Sequence, residues 1–348
     1  MPTLSIENVR IAGLAAAVPS LEEFSWEEFG PAAERYAVAR QRRQKPWRRA
    51  ARIDQCHSDL CVEAARPLLA ELGWEPREID VIVMATLTPD FPIPATAIIV
   101  QDRLGVPKTA AAFDLPSGGL GFLHGLQVVA SMLSAGGLRK ALLLTGQVSK
   151  TPESNDSVVL HQAVHGHCGS VCAVEHQPGS PAMFFDSGGD GSTFEALYMP
   201  VGGVRNPPRP EMFNTPDGVR FASDYVLDEA AFGEMALGQI PGSIRRVLEA
   251  SANTPGNIDG CYFNPLAFPV ESALRRRLGI PLDRFHSYIP EFGNSCSGSI
   301  PLAMTARGGS RLRCGGHTSL LAALGPGLAW SSAVVRTENL ACPGILEV

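Results

Sequence analysis

The sequence predicts an α/β fold made of two similar halves, residues 1–176 and 177–348, and three observations carry the prediction. First, Ile79-Asp80 opens the apolar run Val81-Ile82-Val83-Met84-Ala85, and Ile258-Asp259 opens Gly260-Cys261-Tyr262-Phe263 in the same way. Second, each run is followed by a helical stretch with the same ending, Arg103-Leu104-Gly105-Val106-Pro107 and then Arg277-Leu278-Gly279-Ile280-Pro281. Glycine tolerates the left-handed residue that closes a helix and proline cannot continue one, so both endings are stop signals. Third, each half goes on to another strand, a turn of small residues and a further helix. Repeated strand–helix–strand–turn–helix units place sheets between layers of helices.

The elements follow in order. A first strand spans residues 9–17 and stops at Pro19. Helices are expected over 59–72 and 95–104, a strand over 109–113, a helix over 120–133 and a strand over 168–174. Residues 200–216, with Pro207, Pro208 and Pro210, read as an extended connector between the halves. A helix over 241–250 starts on a proline and carries Ile244, Val247 and Leu248 on one side. Ser117, Gly121 and Gly125 lie four apart, as do Ser295, Ser299 and Ala303. Each set gives a helix a face of small residues open to close approach, and the two helices are expected to form a buried central pair.

Composition narrows the function. At 348 residues the chain can bury a large core, and its net charge of −6 argues against a general nucleic-acid surface. No run of about 18 apolar residues occurs, and residues 1–7 lack the basic and apolar regions of a signal peptide. A cytoplasmic protein without membrane contact is expected. The eight cysteines are scattered, with no Cys-x-x-Cys, and are expected to be reduced and mostly buried.

The most informative stretch is Phe113-Asp114-Leu115-Pro116-Ser117-Gly118-Gly119-Leu120-Gly121-Phe122. A strand that feeds a helix N-terminus through small residues creates a place where backbone N–H groups favour developing negative charge. This segment resembles the nucleophile turn of the ketoacyl-ACP synthase III family of thiolase-fold condensing enzymes, Phe-Asp-(apolar)-three small residues-Cys-(small)-Gly-Phe. The resemblance extends along the chain. Ala85-Thr86-Leu87-Thr88-Pro89-Asp90-Phe91-Pro92 is similar to the family's Thr-x-Thr-Pro-Asp segment, and residues 320–336, with Gly325-Pro326-Gly327, to its C-terminal glycine-rich loop and last strand. It implies a thiolase fold, two pseudo-symmetric α/β halves in α-β-α-β-α layers. It also implies acyl-CoA or acyl carrier protein as partner, no permanent cofactor beyond the CoA or phosphopantetheine thioester that carries the substrate, and a dimer in which a neighbour's loop walls the acyl tunnel.

The family's Cys, His and Asn fall here on Gly119, Asn264 and Asn294. The family's Gly-Asp-Gly-Ala-Gly strand start reads Gly166-His167-Cys168-Gly169-Ser170. Glycine cannot be acylated, so a covalent intermediate at Gly119 is excluded. Asn264 and Asn294 remain as amides able to polarise a carbonyl. Ser117 and Cys168 are the candidates for a relocated nucleophile, with His124 or another histidine as base, and turn capping or packing is the competing reading. His161, His165, His167, Cys168 and Cys172 include zinc-type ligands, but positions 168 and 172 on one strand lie too far apart to grip an ion, and no metal is expected.

The acid-free stretch Arg40, Arg42, Arg43, Lys45, Arg48, Arg49 and Arg52 includes Trp47. Such a cluster suits phosphate gripping and adenine stacking, or else a solvated face. The resemblance assigns Trp47, Arg48 and Arg49 to CoA or phosphopantetheine binding. The expected function is acyl-thioester binding in fatty-acid, polyketide or other specialised metabolism, as a partner subunit of an active ketosynthase, in a homodimer or heterodimer. The alternative is an acyltransferase or condensing enzyme working by direct transfer or through the relocated serine or cysteine.

Overall fold

A computed structural model describes residues 3–20, 22–23, 48–149, 165–207, 209, 226–264, 268–287 and 292–348. The strands are β1 (Leu4–Ile6), β2 (Val9–Val18), β3 (Glu22–Glu23), β4 (Arg48–Arg49), β5 (Val81–Thr86), β6 (Ala111–Pro116), β7 (Lys140–Gln147) and β8 (Cys168–His176). They continue as β9 (Met183–Gly189), β10 (Leu197–Tyr198), β11 (Val226–Leu227), β12 (Gly260–Phe263), β13 (Phe285–His286), β14 (Gly316–Gly325), β15 (Ala329–Glu338) and β16 (Ala341–Glu347). One six-stranded sheet runs β16-β2-β8-β7-β5-β6 and the other β1-β9-β15-β14-β12-β13. With β2, β5, β6, β7 and β8 matched to β9, β12, β13, β14 and β15, the inner five strands have the same order in both. The outer position is exchanged: the C-terminal strand β16 joins the first sheet beside β2, and the N-terminal β1 joins the second beside β9.

The helices are α1 (His57–Leu72), α2 (Thr96–Leu104), α3 (Gly121–Ser134), α4 (Glu229–Ala250) and α5 (Phe268–Leu278). Near the C-terminus, α6 (Ser299–Ala303) runs through a π-helical turn, Met304–Gly308, into α7 (Gly309–Arg313). Strand alternation sorts these into layers. Val81, Val83 and Ala85 of β5 and Leu321 and Ala323 of β14 share one core with Phe122, Leu126, Ile300 and Met304, so α3 and α6 lie between the sheets. Ile82 and Met84 pack outward with Leu60, Leu68 and Val100 of α1 and α2. Leu320 and Ala322 pack outward with Ile244, Val247 and Leu274 of α4 and α5. The result is the expected α-β-α-β-α order, and burial on both faces explains why β5, β7 and β14 carry continuous apolar runs at 81–85, 141–144 and 320–324.

The repeated signals have repeated jobs. Gly105 and Gly279 are left-handed, at φ 72° and 68°, and close α2 and α5. The N–H groups of Val106 and Ile280 bond back to Gln101 and Arg275, and both side chains are buried. Asp80 accepts the N–H groups of Arg139 and Lys140, and Asp259 that of Thr318, so each Ile-Asp fastens the start of its strand to the neighbour.

Three expectations need correction. The helix expected over 241–250 begins at Glu229, where Asp228 accepts the Ala231 N–H. Pro241 is interior, and the Leu237 carbonyl that it leaves without its helical N–H accepts a bond of 2.7 Å from Arg277 Nη1. The proline-rich stretch does not connect the halves: the chain passes from β8 of the first sheet to β9 of the second over residues 177–182, and the strands that flank the stretch, β10 and β11, pair antiparallel with each other. Of it, Pro208, Pro210 and residues 211–225 lie outside the described residues. The two small-residue helices share the central layer, but the small-residue face of α3 is used in two ways. A Cβ on Gly121 would stand 2.5 Å from that of Ser297, whereas Gly125 makes room for Leu143 of β7.

Candidate functional site

The turn singled out in the sequence sits where β6 passes into α3, facing the ends of β12 and β14. Asp114 holds its approach: its carboxylate accepts the N–H groups of Thr96 and Ala97 at 2.7 and 2.8 Å, capping α2 from the neighbouring strand. The Gly121 N–H closes the turn on the Gly118 carbonyl at 2.7 Å.

Gly119 and Asn264 face each other across 145 residues of chain. A Cβ on Gly119 would lie 2.6 Å from Asn264 Nδ2 and 2.9 Å from the Leu324 carbonyl oxygen. Ordinary carbon contacts begin near 3.5 Å, so this space is already filled. Asn264 follows β12 and is 6% exposed. Its Nδ2 donates to the Leu324 carbonyl and its Oδ1 accepts the Leu324 N–H, both at 3.0 Å. Expected as a free amide to polarise a substrate, Asn264 instead spends both ends on the backbone of β14. The next turn offers little in compensation. Pro326, 3.7 Å from where a Cβ on Gly118 would stand, carries no N–H to donate.

Asn294 is the more available amide. Its Oδ1 accepts the Cys296 N–H at 2.9 Å and the Ser299 hydroxyl at 3.1 Å, which turns Nδ2 away from the chain that follows; Nδ2 donates to none of the described residues. Its backbone carbonyl receives the Gly166 N–H at 2.9 Å, and His165 bridges to Asn294.

The relocated nucleophiles lack their activating partners. Ser117 is half-buried, and neither it nor His124 hydrogen-bonds a described side chain. Cys168 is fully buried beside the Ser170 hydroxyl at 3.3 Å, and burial pushes its thiol up to about 11. Among the described residues no histidine is its partner in hydrogen bonding, and at neutral pH it stays protonated. His167, also buried, accepts the Ala51 N–H through Nδ1 at 2.8 Å and donates its own backbone N–H to the Arg49 carbonyl, so it docks the strand at 48–51. Among the described residues no three His, Cys, Asp or Glu side chains converge as metal ligands; His161 lies outside them.

Arg49 is corrected from an expected phosphate clamp to an internal tie. It is 6% exposed, pairs with Glu347 of β16 at 2.6 Å, donates to the carbonyls of Pro19 and Ser20, and lies 5.9 Å from the Phe292 ring centre. Trp47 and the Arg48 side chain fall outside the described residues. Arg49→Ala is therefore expected to lower stability by about 2–3 kcal/mol through lost packing and pairing. Chemical denaturation of the variant checks this; full stability with weakened CoA binding would return Arg49 to the ligand site.

Two features escaped the sequence reading. His57 Nε2 and Cys61 Sγ lie 3.4 Å apart on α1, a Cys–His pair that the i, i+4 spacing could have revealed. Burial lowers the His57 pKa and raises that of Cys61, so the pair is neutral and enclosed. Cys296, beside Asn294, has a positive φ of 49°, and burial pushes its thiol up to about 12.

Among the described residues no helix is long and apolar enough to cross a membrane. Comparison with known proteins agrees with the geometry. The family region described as 3-oxoacyl-[acyl-carrier-protein (ACP)] synthase III C terminal matches residues 248–337. Beta-ketoacyl-[acyl-carrier-protein] synthase III of Roseiflexus castenholzii is 31% identical over 80% of this chain and 83% of its own. The protein of the same name from Symbiobacterium thermophilum is 30% identical over 96% and 99%. The crystal structure of 3-oxoacyl-(acyl-carrier protein) synthase from Burkholderia xenovorans superimposes with a TM-score of 0.87 at 26% identity, covering 99% of both chains. By sequence and by its duplicated thiolase fold, the chain belongs to the beta-ketoacyl-[acyl-carrier-protein] synthase III family.

Proposed function

We propose that this chain is a ketosynthase III-like subunit that has given up its own acyl-enzyme chemistry and supports a homologue that retains the Cys-His-Asn set. The observation that carries the reading is the Asn264 carboxamide standing in the space of the missing nucleophile. A site adapted to direct transfer needs that space for substrate; here Asn264 and Leu324 close it with two hydrogen bonds. The acyl thioesters, carried on CoA or an acyl carrier protein, are substrates of the pair of subunits, in fatty-acid or polyketide synthesis.

A surface suited to such a partner lies next to the site. Among the described residues the outer edge of β6 has no neighbouring strand; the segment before α2 exposes Leu87, Phe91 and Ile93, the last 85% exposed, and α2 itself exposes Ile98. An unpaired edge beside a run of exposed apolar side chains is the mark of a protein interface. In this reading β6 pairs with the same edge of the homologue and the Ile93 loop enters its acyl tunnel.

The test is co-expression with a Cys-His-Asn-bearing homologue, followed by intact-mass measurement and a condensation assay with acyl-CoA and acyl carrier protein. A stable heterodimer is expected, with no acyl adduct on this chain and no turnover by this chain alone. Ile93→Asp, at an exposed position, is expected to leave the fold intact and to weaken the heterodimer by about tenfold or more. Turnover by the isolated chain, or an adduct at Ser117, would favour non-standard catalysis; a partner fully active alone and indifferent to this chain would end the subunit reading.

A further inference from the structure

A cavity of about 510 Å³ opens at the far end of the second sheet, lined chiefly by Asp259, Arg284, Arg311, Cys314 and His317. It sits at the starts of β12 and β14, whereas Asn264 and Leu324 lie at their far ends. The strand from Gly316 to Leu324 separates the two places by roughly 26 Å.

The lining carries two arginines, Arg284 and Arg311, against one aspartate, Asp259. The Arg311 side chain, exposed on α7, makes no ion pair or hydrogen bond with a described residue. Arg284 is anchored through Nη1 to the carbonyls of Gly256 and Ile258, at 3.0 and 2.9 Å, which fixes its guanidinium at the rim and leaves Nε and Nη2 without a described partner. Arg336, paired with Glu338, crosses Gly316 so closely that a Cβ there would stand 2.7 Å from Nη2. Against these stands Asp259, one oxygen of which accepts the Thr318 N–H at 2.8 Å. Two guanidiniums arriving from separate elements match a tetrahedral dianion, which can accept from both. The volume lies in the range of small-molecule sites and exceeds that of a phosphate ion.

We propose that this cavity binds a phosphorylated small molecule, its phosphate gripped by Arg311 and Arg284 and one of its hydroxyls donating to Asp259. Cys314 supplies the readout, being the exposed one among eight free cysteines. Isothermal titration with inorganic phosphate and glycerol 3-phosphate, beside chloride and acetate at equal ionic strength, measures binding. Peptide mapping of iodoacetamide alkylation at Cys314 measures occupancy. Glycerol 3-phosphate is expected to bind saturably, more tightly than phosphate, and to slow Cys314 alkylation by about tenfold at saturation. Arg311→Ala is expected to weaken binding by about tenfold or more. Arg313→Ala, whose side chain pairs with Glu71 instead, leaves it unchanged. Equal protection by acetate or chloride, or undiminished protection in Arg311→Ala, would overturn the proposal. Variants at Gly119 leave the protection intact, so this result is independent of the subunit reading.

Discussion

Gly119→Cys, which places a cysteine where the proposed reading sets the family's nucleophile, is expected to lower stability by about 1–3 kcal/mol and to yield no acyl-enzyme. The new Cβ would stand 2.6 Å from Asn264 Nδ2 and 2.9 Å from the Leu324 carbonyl. Asn264 cannot swing aside without stripping both backbone groups of Leu324 of their partners, and each buried unsatisfied group costs about 1–3 kcal/mol. Nor would the thiol be activated, because the position that faces it holds a carboxamide rather than an imidazole. Urea denaturation and intact mass after incubation with acyl-CoA measure both parts. The pair also makes a coupling prediction. In an Asn264→Ala background the cysteine is expected to cost about 1 kcal/mol less, since its nearest clash is gone. A Gly119→Cys variant as stable as the parent, and acylated, would show that the site is vacant rather than filled.

The matching of positions 119 and 264 to the family's pattern could be drawn from the sequence because strand and turn spacing hold their register in both halves. Their physical relation was not legible. It runs through the backbone of Leu324, and main-chain carbonyl and N–H groups leave no trace in residue identity. Pro326 is the exception, since a proline in Gly325-Pro326-Gly327 announces a missing donor. The duplication was legible for a local reason: Gly105 and Gly279 close helices, and Asp80 and Asp259 tie strand starts, each through neighbours that spacing alone can indicate. Where partners come from afar, local signals misled. Pro241 looked like a helix start because the Arg277 guanidinium that takes the Leu237 carbonyl is supplied from another helix. Arg49 looked like part of a basic surface because its partner, Glu347, comes from the exchanged C-terminal strand.

Asp186→Ala is expected to cost about 2–3 kcal/mol, with a pH dependence that identifies the cause. Asp186 lies on β9, its side chain 2% exposed, and accepts Arg246 Nε and Nη2 from α4 at 2.6 and 2.8 Å. This fork clamps the outer helix layer onto the sheet that carries β12 and Asn264. Arg246 is 41% exposed, so the abandoned guanidinium regains water and the loss stays below that of a fully buried pair. Burial alone would raise the Asp186 pKa, but hydrogen bonds from Arg246 and then Ser243, together with the positive charge of Arg246, outweigh it and hold the carboxyl below 3.8. A carboxylate whose pKa is depressed by folding stabilises the native state fully above its unfolded value and loses that contribution as pH falls through its folded value. The stability gap between the parent and Asp186→Ala should therefore be flat from neutrality to about pH 5 and narrow as pH drops below 3.8. Denaturation midpoints across that range test it. A gap that stays constant into the acid range would mean that Asp186 acts through shape and packing, and that its charge contributes nothing to holding α4 in place.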